Sequence, residues 1–212
     1  MSGRISEAAR GLELRLGTSV LIFLIGIISL TTYGQSPSPS SGSASDSLLP
    51  RNVVVALNVV NRFFPEVTQE ATTGQNLSAV GKPIATRSVI YTNSNSSNKV
   101  TVSVDEYANA SDASSAYEEA VQKSKIVPGF KPIFAPKLGH GAFLGTATQG
   151  KETHIGVGAV DGTLFVAATV VGYDPTTDIT AKLISLTREQ QGAAKKVLNP
   201  HGQNGDRQEL LR

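Results

Sequence analysis

The chain has 212 residues, 40% of them hydrophobic and 6% aromatic, with no cysteine, no tryptophan and a formal net charge of +2. The missing cysteines exclude disulfides, thiolate chemistry, Cys-ligated zinc and a lipid-modified N-terminal Cys. The 19 Lys+Arg nearly balance the 17 Asp+Glu and form no run, so nothing marks a nucleic-acid partner.

Arg4, Arg10 and Arg15 precede an uncharged stretch from Leu16 to Tyr33, whose apolar centre runs from Val20 to Leu30. The centre has the length of a signal peptide's hydrophobic region, and the whole stretch is long enough to span a bilayer as a helix. Residues 1–34 are therefore read either as a cleaved signal peptide, with Thr32 and Gly34 as an imperfect cleavage site, or as an uncleaved N-terminal membrane anchor. The basic residues before it place the rest of the chain outside the cytoplasm. The expected locations are the cell membrane, single-pass with the C-terminal domain outside, or a secreted or periplasmic one. If the stretch Leu16 to Tyr33 is retained, the membrane is itself a partner. Residues 35–47 are rich in Ser and Pro and have nothing to bury, so they read as a solvated spacer.

The folded domain is expected over 48–198. Val53, Leu57, Val60 and Phe64 recur at helical spacing after Pro50, which favours a helix from Leu48 to Phe64 over a strand built on the same valines. The stretch 66–82 reads as loop. Strands follow at 83–91 and 99–107, joined by the polar loop Asn93 to Asn98. In the second, Val100, Val102 and Val104 alternate with Thr101, Ser103 and Asp105, which predicts one buried face and one wet face. A helix is expected from Asn109 to Lys125, capped by Ser111, with Asp112 in its first turn. Its inner stripe is made of small residues such as Ala113, Ala116 and Ala120. Pro128 and Gly129 close it, and 130–141 reads as irregular. A strand at 142–148 turns at Gly150 into the central feature of the chain, a hairpin from His154 to Gly172 around Asp161 and Gly162. The expected register sets Val160 opposite Thr163 and Gly158 opposite Phe165. One face then carries Ile155, Val157, Ala159, Leu164, Val166 and Ala168 and must be buried. Asp174 and Pro175 are expected to start the last helix, with Ile179, Leu183 and Leu186 inward. Residues 199–212 read as a disordered tail. The predicted class is α+β: a largely antiparallel sheet of about five strands with helices packed on it, in the order α-β-β-α-β-β-β-α.

Taken together, the strand ending at Tyr107, the helix with Ala116 and Tyr117, the Pro128–Gly129 turn, the Leu138–Gly139 pair before Ala142 and Phe143, and the hairpin form a pattern. It resembles that of small secreted bacterial lipoproteins and of the extracellular sensor domains of actinobacterial receptor kinases, of PsbP-like α/β sandwich type. The resemblance covers about half the domain. It implies an exported α/β sandwich and carries over no catalytic residue. Those relatives often hold a lipobox cysteine or disulfides, and an acidic residue where this chain has His140.

Few residues invite chemistry. His140 sits between Gly139 and Gly141, which would let a substrate approach its ring; the same glycines would also serve an irregular turn. His154 shares a strand face with Gly156 and Gly158, and with Phe165 it would line a shallow pocket under a helix. The plainer alternative is that the glycines let the small-faced helix 113–121 pack close. Asp105 and Glu106 point to opposite faces of a strand, so they read as a solvated strand end rather than paired carboxylates. Gly156 and Gly158 lie mid-strand and form no phosphate loop. Asn76, Asn95 and Asn109 each begin an Asn-x-Ser sequon and read as loop positions. The ligand-binding candidates are therefore His154, Gly156, Gly158, Phe165 and His140. No catalytic residue, metal site or cofactor is assigned. The expected function is an exported or membrane-anchored binding or interaction module, taking a small apolar ligand, a cell-envelope component or a partner protein. The alternatives are a hydrolase-like enzyme using His140 or His154 and a purely structural envelope protein.

Overall fold

The computed structural model describes residues 47–76, 78–134 and 137–199. The expected signal or anchor, nearly all of the spacer and nearly all of the tail lie outside them. Among the described residues no helix is long and apolar enough to cross a membrane.

Among the described residues seven antiparallel strands form one sheet: β1 (Gln69–Gly74), β2 (Ala85–Thr92), β3 (Lys99–Glu106), β4 (Lys131–Ile133), β5 (Gly141–Gln149), β6 (Glu152–Asp161) and β7 (Leu164–Val171). Their spatial order is β1-β2-β3-β7-β6-β5-β4. The class is α+β as expected, but two strands join the anticipated five, and both are edges. β1 is solvent-exposed over nearly its whole length and β4 has three residues, so neither carries the period-2 apolar signal of a strand with one face in a core.

The hairpin β6–β7 is central, and its register differs from the expected one by two residues. Asp161 pairs with Leu164 and Val160 with Phe165, so the two-residue turn is Gly162 and Thr163. Gly162 takes φ +61° while Thr163 keeps a negative φ, the pattern of a turn with glycine at its first central position. A shift of two leaves every side chain on its predicted face. Ile155, Val157, Ala159, Leu164, Val166 and Ala168 all enter the main core.

That core is closed by α3 (Thr177–Leu198), through Leu183, Leu186 and Ala194, and by the N-terminal segment. The segment is not the single helix expected over 48–64. It holds a 3₁₀ turn at Arg51–Val53 and one helical turn, α1 (Leu57–Val60), with extended backbone at Val54 between them. Val53, Val54 and Val55 are all buried, so successive residues point inward in a way that a one-sided helix cannot provide.

The opposite face is covered by α2 (Ala110–Lys125), which lays Ala113, Ala116 and Ala120 against Val160, Phe165 and Ala167. This face was expected to be wet along β3, yet Thr101, Ser103 and Asp105 are all buried. Asp105 is shut off from solvent completely, and both of its carboxylate oxygens accept from Asn76 Nδ2 at 2.8 and 3.0 Å. The helix caps also differ by a few residues from expectation: Asn109 rather than Ser111 accepts from Asp112 N–H, and Thr176 rather than Asp174 accepts from Ile179 N–H. In each case the extended residue immediately before the first turn has the geometry to cap.

Candidate functional site

The sequence candidates do not converge. His140 and His154 stand at opposite ends of β6. His140 is largely exposed; its Nδ1 accepts from Gly162 N–H at 3.3 Å and lies 3.2 Å from an Asp161 oxygen, so it braces the hairpin turn. His154 is buried, its pKa lowered chiefly by loss of solvent, with Glu152 opposing at 3.9 Å. Its Nδ1 has no hydrogen-bond partner among the described residues. It lines a recess of about 200 Å³ with Val127, Pro128 and Ala147, and Phe165 is not part of that recess.

Phe165 belongs to an aromatic cluster under α2 instead. Its ring is 6.5 Å from that of Phe143 and 6.4 Å from that of Tyr117. A Cβ at Gly158 would come within 2.5 Å of the Phe143 ring and 3.1 Å of Phe165. The strand glycines thus make room for aromatic rings, and those of Phe143 and Phe165 occupy the space over Gly158. Gly156 lies buried beside Gly145, where the Phe130 ring fills the space a side chain would need. Among the described residues no three His, Asp or Glu side chains gather as metal ligands.

A larger concavity lies elsewhere. An open cleft of about 990 Å³ runs between the N-terminal segment and α3. Val54, Val55, Ala56, Val59 and Phe63 form one wall, and Gly192 and Ala193 lie on the other. Its walls are fixed to one another by Gln190, which is wholly buried. The Gln190 amide donates to Val53 C=O at 2.7 Å, and its oxygen accepts from Val55 N–H at 2.9 Å, in the manner of a ladder partner. Arg51 holds the same segment to the sheet: its guanidinium grips Glu70, with Nε–Oε1 at 3.0 Å, and donates to Val54 C=O at 2.8 Å. The buried Tyr91 hydroxyl donates to Val55 C=O, and burial pushes the phenol up to about 12, so it stays a donor at any physiological pH.

The charges at the cleft are unequal. Glu189 is paired with Arg62 at 3.3 Å, and Arg51 is engaged by Glu70. Arg188 and Lys196 also line the cleft, and among the described residues neither has an ionic partner. The arrangement offers an apolar trough with two cations on one wall that have no ionic partner among the described residues. None of these residues was singled out from the sequence. The available signal was Gly192, a helix-interior glycine four residues from a cation on either side.

No family model matches the chain, and no curated protein matches it. Among solved structures it is similar to the extracellular domain of PknH from Mycobacterium tuberculosis, with a TM-score of 0.46 and 11% identity, over 65% of this chain and 93% of that one.

Proposed function

We propose that this chain is an extracytoplasmic binding module that takes a small apolar ligand or cell-envelope component into the cleft between the N-terminal segment and α3. The cleft carries the reading. Its volume, about 990 Å³, is at the upper end of the roughly 300–1,000 Å³ common for ligand pockets. A protein that needed only to fold would have closed such a gap with larger side chains on α3, because exposed apolar wall is unfavourable in water. The uncharged stretch Leu16 to Tyr33 and the Ser/Pro-rich spacer after it support a domain held outside the cytoplasm. The pattern over 100–171 that resembles exported sensor domains of PsbP-like type accords with that placement.

Native mass spectrometry of the full chain, purified from its own host's envelope, tests the reading. The expected result is a mass above that of the denatured polypeptide, with the excess lost on unfolding and absent from a Gly192→Leu variant. A native mass equal to the denatured one, or an excess that the variant retains, would overturn it.

A further inference from the structure

The class of ligand follows from where the cleft keeps its charge, an inference that rests on the binding reading above. Arg188, Gly192 and Lys196 are spaced i, i+4, i+8 on α3, so they lie in one row, the two cations about 12 Å apart along the axis with a bare notch between them. A Cβ added at Gly192 would meet nothing within 4 Å. Packing therefore does not require glycine there, and a helix-interior glycine is less stable than alanine by about 1 kcal/mol. Gly192 keeps open a space that the fold itself has no need of. Across that space lies the wall of Val54, Val59 and Phe63. Glu189, the acidic residue at the cleft, is already neutralised by Arg62.

We infer that the ligand is a long-chain carboxylate, its headgroup seated at Gly192 between Arg188 and Lys196 and its alkyl chain laid along Val54, Val59 and Phe63. Charge complementarity selects the anion: a carboxylate is attracted by both exposed cations, a neutral headgroup gains nothing from either, and a cationic one would be repelled by both. The long stems of Arg188 and Lys196 can cover the first methylenes of the chain while their charged ends meet the carboxylate.

The test uses the full chain in phosphatidylcholine nanodiscs with three photoreactive hexadecyl probes that differ only in headgroup: carboxylate, alcohol and trimethylammonium. After irradiation and digestion, mass spectrometry maps the labelled peptides. The expected result is that the carboxylate labels peptides from both cleft walls roughly tenfold more than either other probe, as two partly exposed ion pairs allow. The double variant R188Q/K196Q should lower carboxylate labelling to the level of the alcohol. Gly192→Leu should abolish labelling by all three while thermal unfolding stays cooperative. If the alcohol or the ammonium probe labels the cleft as strongly as the carboxylate, or if R188Q/K196Q leaves the preference intact, the anion assignment is wrong and the apolar cleft remains a binding site. If no probe labels the cleft above the Gly192→Leu background, the carboxylate assignment is again wrong, and the retained mass in the native spectrum decides the cleft separately.

Discussion

Asp105 is the residue at which sequence pattern and environment part most clearly. It alternates with buried valines along β3, as a solvent-facing residue would, yet it is wholly enclosed and held by Asn76. Burial pushes its carboxyl up to about 7, with the Asn76 hydrogen bonds acting in the opposite direction. Between the unfolded value of 3.8 and about 7 the native state binds more protons than the unfolded one, so stability falls as pH rises through this window. The loss across it is on the order of 4 kcal/mol. Asp105→Asn cannot ionise and should remove that slope; thermal melts of wild type and variant between about pH 5 and pH 8 check it. The cover that makes Asp105 buried comes from the segment carrying Asn76 and Val80, which is anchored again by Tyr107 O–H donating to Val80 C=O at 2.6 Å. Nothing near Asp105 in sequence announces it. The same contact removes Asn76 from the accessible sequons, because its amide is committed to the carboxylate.

At the scale of elements, α2, β2, β3 and the three strands from β5 to β7 were legible because each has a strong period of its own. In the N-terminal segment the pattern is ambiguous, because four apolar residues at helical spacing coincide with three consecutive valines. The tertiary structure resolves the conflict through Gln190, whose side chain bonds Val53 C=O and Val55 N–H on either side of the extended backbone at Val54. Gln190→Leu keeps the volume and removes both bonds, leaving a buried N–H and a buried C=O unpaired. We expect a loss of about 2–4 kcal/mol by chemical denaturation, with the cleft's N-terminal wall becoming the first site of hydrogen exchange. In the buried stripe Leu183, Leu186, Gln190, Ala194 the polar side chain reads as an interruption of a core row until its partners are known.

For the whole molecule, a sheet with both faces covered divides the labour. One face, under α2, is sealed by aromatic rings lying on strand glycines, and the other leaves a trough at the margin between α3 and the N-terminal segment. Holding this domain outside the membrane on a Ser/Pro-rich spacer would put the trough in reach of envelope lipids. Protease added to intact cells should then cut within 35–47 and release a folded fragment. Protection of the spacer until the cells are lysed, scored by immunoblot, would place the domain inside instead.

The sequence by itself determined the class of fold, the central hairpin and which of its side chains enter the main core, and it did so because side-chain alternation survives even a two-residue error in register. The expectation of export rests on sequence alone, on the uncharged stretch from Leu16 to Tyr33. Only the tertiary structure decided the edge strands, the burial of Asp105 and the location of the cleft. Each of these depends on surfaces brought together from distant parts of the chain: Asn76 onto Asp105, Gln190 onto Val53 and Val55, and Gly192 opposite Val59. A cleft is a gap between elements, and no single element's periodicity records it.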